Sequence, residues 1–260
     1  MHIGTILLTA LGTAVALMFV AWLLYRATDK ASWVDAFWAG NLAVLALGYA
    51  WFLPGDPTRR ALVALVGGSW GMRLAAHIAV RVATGPEDPR YLTLRAEWKD
   101  NLPLRFLRFF QLQAVVDVVL SVPFLLMARD AAPFGRITEI AGLALWAVAL
   151  AGESIADAQL SRFRRDPANK GRVCRSGLWS VSRHPNYFFE WLLWCSFALM
   201  ATGAPWGWVS WSAPALMLFF LVRVTGIPLT EKQAVASKGD AYRAYQREVS
   251  AFIPWFPATR

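Results

Sequence analysis

The stretch Gly177–Glu190 reads GLWSVSRHPNYFFE, and the apolar run Trp191–Thr202 follows it directly. A basic loop that passes straight into an apolar helix places this part of the chain at the mouth of a membrane span. Pro185 suits the first turn of that helix, where a missing N–H has no intrahelical bond to lose. Asn186 and Glu190 are four residues apart and share one helical face. A carboxylate at the edge of a membrane helix calls for a partner, and Arg183 and His184 stand just before it. Cationic groups, a helix N-terminus, an amide and a carboxylate thus converge within a few residues. That set suits a ligand that is anionic at one end and carries an amide at the other. A juxtamembrane loop that holds lipid headgroups is the plainer reading, and it gives Asn186 and Glu190 no task.

The composition agrees with a membrane setting. Hydrophobic residues make up 57% of the chain, charged residues only 17%, and the mean hydropathy is +0.40, which excludes an ordinary soluble domain. The 14 Trp and 16 Phe suit aromatic belts at the two interfaces. We expect one all-α domain over residues 1–260, a polytopic helix bundle whose cofactor-binding half covers about 137–260. The net charge of +9 is read as loop charge facing the cytoplasm, not as a nucleic-acid footprint. Cys174 and Cys195 fall in a loop and a helix, so no disulfide framework is expected. His2, His77 and His184 show no metal-ligand spacing with them. The first apolar run has no basic segment before it and reads as a span, not a signal peptide.

Seven runs approach the roughly 20 residues that a span needs. They cover about 4–25, 33–53, 60–83, 109–128, 137–160, 187–204 and 207–228. Basic residues gather in the first, third and fifth loops and in the tail. Examples are Arg26 and Lys30, then Arg90 to Arg108, then Arg162 to Arg183, then Lys232 to Arg260. This asymmetry places the N-terminus outside and the C-terminus in the cytoplasm. The third loop, Gly85–Phe109, is long enough to be functional or to hold an interfacial helix. Its PEDPRY core reads equally as a solvated turn or as a ligand contact.

Polar residues interrupt the apolar runs. Asp35 is either a helix-start acid or, if it lies deeper, a proton donor. Arg73, His77 and Arg81 recur every four residues, with Trp70 on nearly the same face, and should point into the bundle or its cytoplasmic mouth. Asp117 or Glu153 would be their partners if the stripe is purely structural. Glu153 and Asp157 share a face of the fifth run, whose helix should continue to Arg164, and Arg223 comes late in the seventh. Many arginines in a membrane setting suggest an anionic cytosolic cofactor acting on a lipid. The basic fifth loop favours phosphate-rich NADPH over S-adenosylmethionine. No glycine fingerprint follows a strand, so a dinucleotide would bind in a non-Rossmann mode.

The run Asp157–Glu190 resembles the membrane steroid 5-alpha-reductase C-terminal superfamily, most closely the bacterial branch called DUF1295. RHPNY (Arg183–Tyr187) is also similar to the sterol reductases. WGMRLAAHIAVR (Trp70–Arg81), EDPRY (Glu87–Tyr91), TGIPLTEKQ (Thr225–Gln233) and YRAYQREVSAFIPWFP (Tyr242–Pro257) extend the resemblance over most of the chain. It implies a seven-helix bundle that opens to the cytosol and takes NADPH. Asp157, Arg164 and Arg172 match the positions that hold the adenosine phosphates. Asn186 and Glu190 match those that hold the nicotinamide amide. Arg73 and Arg81 match further positions. With them Arg90, Arg183, His184, Tyr187, Arg223, Tyr242 and Tyr245 are expected around the cofactor. The catalytic Tyr of the steroid reductases falls on Trp70, whose indole donates a hydrogen bond but supplies no proton. Their catalytic Glu has Asp35 as its nearest counterpart.

The expectation is a reductase of a carbon–carbon double bond in a hydrophobic lipid or steroid-like substrate, in the cytoplasmic membrane of a bacterium. NADPH would deliver the hydride, with Asp35, Trp70 and His77 as the catalytic group. The isoprenylcysteine and phospholipid methyltransferases share an RHPxY-like element, so an S-adenosylmethionine-dependent lipid methyltransferase is the alternative. A non-enzymatic lipid-binding protein leaves the buried polar stripes unexplained.

Overall fold

In the computed structural model, which describes residues 2–257, every regular element is helical. The last basic residue of the tail, Arg260, lies outside the described residues. Five helical segments are long and apolar enough to cross a membrane: Ile3–Thr28, Pro57–Thr84, Leu102–Arg129, Ile137–Arg165 and Gly207–Lys238. The chain forms two compact units, where a single domain was expected. One runs to Phe134 and includes Ala204–Val209; the other takes Gly135–Gly203 and continues from Ser210.

In the first unit, α1 (Ile3–Thr28) buries Ile6, Ala10, Ala14, Met18, Ala21 and Tyr25, a single face at helical spacing. It ends where Asp29 adopts the left-handed conformation and donates its N–H to the Tyr25 carbonyl. The next helix, α2 (Trp33–Phe52), is the centre of this unit. It packs on α1, on α4 (Ser69–Thr84), on α6 (Leu102–Leu120) and on α7 (Val122–Arg129). Its alanines and Gly40 permit that crowding, and it buries Asn41 as readily as Leu42. Between α2 and α4 the short α3 (Pro57–Val63) starts on an Asp56 cap and Pro57, then passes through a π turn at Ala64–Gly68. The long third loop contains α5 (Pro89–Trp98), capped by Asp88 with Pro89 at its first position. The loop thus contains a helix, one of the two readings open from the sequence, with the Pro-Arg-Tyr of PEDPRY in its first turn.

The second unit is organised by α8 (Ile137–Arg165) against α9 (Pro185–Ala201). Gly142, Ala149, Gly152 and Ala156 form a small-residue face on α8. A Cβ at Gly142 would stand 2.4 Å from the Met200 side chain and 2.9 Å from its backbone nitrogen. Side-chain packing at such short range holds membrane helices together where no hydrophobic force acts between them. Glu139 closes the N-terminus of α8 by accepting from the backbone N–H groups of Gly135 and Arg136. The rest of the unit is α10 (Ser212–Phe219), a π turn at Phe220–Val224, α11 (Ile227–Lys238) and α12 (Asp240–Glu248). An extended segment follows α12 and lies along the RHPNY loop. The Arg183 N–H donates to Ser250 O, and the Trp255 N–H donates to Val181 O.

Candidate functional site

Pro185 opens α9 as the sequence predicts, and the helix carries Asn186 and Glu190 on one face. Asn186 Nδ2 donates to Asp157 Oδ1 at 3.2 Å, tying the start of α9 to the last third of α8. A carboxylate only accepts, so Asp157 fixes the amide with its NH2 inward. The Asn186 carbonyl oxygen is buried and has no hydrogen-bond partner. One turn further on, Glu190 accepts from the Trp194 indole at 3.0 Å. Seven residues past Asp157, about 10 Å along the same helix face, stands Arg164. Arg164 and Arg172 are both exposed and form no ion pair among the described residues. Arg223 is likewise exposed at the end of its π turn.

Other expected cofactor residues are used within the protein. Arg183 is only 10% exposed. It donates to Glu231 at 2.6 Å and to the carbonyls of Gln246 and Val249. His184 stacks on Tyr187 and meets Glu231 at 3.3 Å, while the Tyr187 hydroxyl bonds Thr230. Glu231 also accepts from Gln246 at 2.8 Å. Tyr245 donates to the carbonyls of Trp179 and Ser182 and is buried. Burial, then the charge of Glu231, pushes the Tyr242 phenol up to about 12. Arg183, His184, Tyr187 and Tyr245 therefore bond Glu231, Thr230 and backbone carbonyls of the second unit, and Tyr242 is buried beside Tyr245. Glu231, which meets Arg183, His184 and Gln246, lies in a TEKQ segment that reads from sequence as an ordinary helix surface.

The first unit gathers a separate polar cluster. Asp35 accepts from the Tyr91 hydroxyl and from Arg90, each at 2.7 Å, and Arg90 also pairs with Asp88 at 3.0 Å. Glu87 accepts from the backbone N–H of Ser32 at 3.1 Å and from its hydroxyl. Burial disfavours the Arg90 charge, but Asp35, Tyr91 and Asp88 together outweigh it and hold Arg90 above its ordinary value. Burial and the same carboxylate push the Tyr91 phenol well up. Asp35 thus serves as an acceptor, in an ion pair with Arg90 and a hydrogen bond from Tyr91. Arg90, expected beside the cofactor, is engaged by Asp35 and Asp88 in the first unit.

On α4 the stripe is divided. Trp70 is buried against Trp38 at 6.4 Å, whereas Arg73, His77 and Arg81 are exposed. Trp70 is therefore a packing residue in the first turn of α4, covered by α2, while further along the same helix the cations are exposed and do not enter the interior of their unit. Asp117, considered as their partner, is fully buried and accepts instead from Asn41 at 2.8 Å. Among the described residues no cluster of His, Cys, Asp and Glu could hold a metal ion.

Apolar spans, an all-helical architecture and buried polar pairs define an integral membrane protein. The chain matches the family described as "Protein of unknown function (DUF1295)" over residues 21–249, and it belongs to that family. It is also 36% identical over 94 residues to "Uncharacterized protein C594.04c" of Schizosaccharomyces pombe. That match covers 36% of this chain and 27% of the yeast protein. No solved structure matches the chain.

Proposed function

We propose that this protein is a membrane-bound, NADPH-dependent reductase of a carbon–carbon double bond in a lipid or steroid-like substrate. The observation that carries the reading is the buried Asn186 carbonyl oxygen, held in place by Asp157 and lacking a donor. A carboxamide NH2 supplies the donor that this oxygen lacks. The exposed Arg164 and Arg172 suit the phosphates of the same cofactor. These residues fit NADPH, whose nicotinamide supplies a hydride when bound.

The protein's own part is to orient and to anchor. Asp157 sets the Asn186 amide, Glu190 offers a carboxylate one turn away, and Arg164 and Arg172 add positive charge at the end of α8. The resemblance to the steroid 5-alpha-reductase superfamily supports the same assignment. The apolar runs favour seven spans, and the loop charges favour an N-terminus outside and basic loops in the cytoplasm of a bacterial inner membrane. In that orientation a cytosolic cofactor reaches Arg164 and Arg172.

Purified protein titrated with NADPH and, separately, with S-adenosylmethionine tests the reading. NADPH should bind, and Arg164→Ala or Arg172→Ala should weaken it by about 1–3 kcal/mol, the worth of a charge-assisted hydrogen bond. Binding of S-adenosylmethionine without NADPH would make the protein a methyltransferase instead.

A further inference from the structure

We propose that Asp117 is a proton-binding site in the interior of the first unit. In this reading it is a neutral carboxylic acid whose Oδ1–H donates to Asn41 Oδ1, closing an acid–amide pair between α6 and α2. The site is separate from the cofactor reading and does not depend on it. Both side chains are fully buried, at 0% exposure. Asn41 Nδ2 donates to Asp117 Oδ2 at 2.8 Å and lies 3.4 Å from the Ala14 carbonyl oxygen. Two oxygens, Asn41 Oδ1 and Asp117 Oδ1, have no hydrogen-bond partner. Two acceptors that face no donor are a costly arrangement, and a single proton on one of them satisfies both.

Charge leads to the same result. An ionised carboxylate within a membrane span needs a counter-charge. On α1 no charged residue occurs between Ile3 and Tyr25. On α2 Asp35 is itself negative and bound to Arg90 and Tyr91. The next cation on α6 is Arg108, nine residues before Asp117 and about 13 Å away along the axis. On α4 Arg73, His77 and Arg81 are exposed, as is Arg129 on α7, while Arg59 on α3 is paired with Asp130. On α5, which also packs on α6, Arg90 is paired with Asp35 and Asp88 and Arg95 with Asp29, so among the described residues no cation pairs with Asp117.

Two other occupants fit less well. A buried water could donate to both oxygens, but it leaves the negative charge uncompensated. A hard cation would find only Asp117 Oδ1, Asn41 Oδ1 and the Ala14 carbonyl, about half of the six or more oxygens it takes.

Infrared spectroscopy of the purified protein in sodium-free buffer near neutral pH provides the test. The expected result is a carbonyl stretch of a protonated carboxyl that moves when aspartate is isotopically labelled at its side-chain carboxyl carbon. Asp117→Asn should abolish it, and Asn41→Ala should shift it by removing its hydrogen-bond partner. The label experiment uses unmutated protein, so a variant that fails to fold does not block the test. Absence of a label-sensitive acid band overturns the proposal, as does a band unmoved by either variant. A melting temperature that rises with sodium in the unmutated protein but not in Asp117→Asn would reassign the site to a cation and also overturn it.

Discussion

Arg183 donates to Glu231 across 2.6 Å although 48 residues separate them, and this pair joins the RHPNY loop to α11. His184 and Gln246 meet the same carboxylate, so one acid on α11 gathers groups from the RHPNY loop and from α12. The arrangement fixes the entry of α9, and with it the position of Asn186.

Glu231→Ala should therefore be among the more destabilising single changes in the chain. It leaves the Arg183 guanidinium, 10% exposed, without its counter-charge. Breaking a buried pair by removing one partner costs about 3 kcal/mol. Thermal unfolding in detergent measures this directly, and Glu231→Gln should fall between the two, because its amide oxygen still accepts. A melting temperature unchanged in Glu231→Ala would show that Arg183 is held by the Gln246 and Val249 carbonyls alone.

A second prediction concerns the seam between α8 and α9. Any side chain at Gly142 meets the backbone nitrogen of Met200 at 2.9 Å, and that nitrogen cannot move without shifting the helix. Gly142→Val should destabilise by about 2 kcal/mol through overpacking. Gly12→Val on α1, where nothing lies within 4 Å, is the control and should be close to neutral. Equal effects on unfolding would mean that glycine acts through backbone entropy and not through the seam.

Much of this architecture was legible in the sequence. Apolar length located the helices, Pro185 marked the start of α9, and the fifth helix continued past Asp157 to Arg165 as expected. What escaped was pairing over long range. Asn41 looks like one polar residue in an apolar run, and only the packing of α2 against α6 shows that it meets Asp117. The spacing of Arg73, His77 and Arg81 correctly gives one face, but periodicity does not say which side of a helix is covered. Trp70 shows the limit: at the start of α4 it is covered by Trp38, while His77 and Arg81, on nearly the same face two and three turns later, are exposed.

Acid should loosen the cluster around α5. Burial alone would raise the Asp88 carboxyl, but hydrogen bonds from Arg90 and its charge hold it below its ordinary 3.8. A depressed folded value means that Asp88 contributes stability above the ordinary value and loses it as the pH falls through the depressed one. The window thus opens below about pH 4. Amide hydrogen exchange at Arg90, whose N–H is held by Asp88 at 2.9 Å, should accelerate there beyond the general pH trend. Asp88→Asn should remove that pH dependence, and an identical profile in the variant would place the acid sensitivity elsewhere.

The last prediction separates the two ends of the proposed cofactor site. Asn186→Ala removes one acceptor and should weaken NADPH binding by about 1 kcal/mol, or roughly fivefold. Turnover should fall further, because hydride transfer depends steeply on how the ring is presented. Arg164→Ala should do the reverse, weakening binding while leaving the turnover of saturated enzyme nearly intact. Glu190→Gln should resemble Asn186→Ala, since it keeps the shape and the bond from Trp194 but removes the charge. A purely structural role for Asn186 makes a different forecast, because its bond to Asp157 also ties α9 to α8. In that case Asn186→Ala lowers the melting temperature equally with and without NADPH, and activity per folded molecule is unchanged. Measuring melting and turnover on the same preparations distinguishes the two, and normal turnover would remove Asn186 from the site.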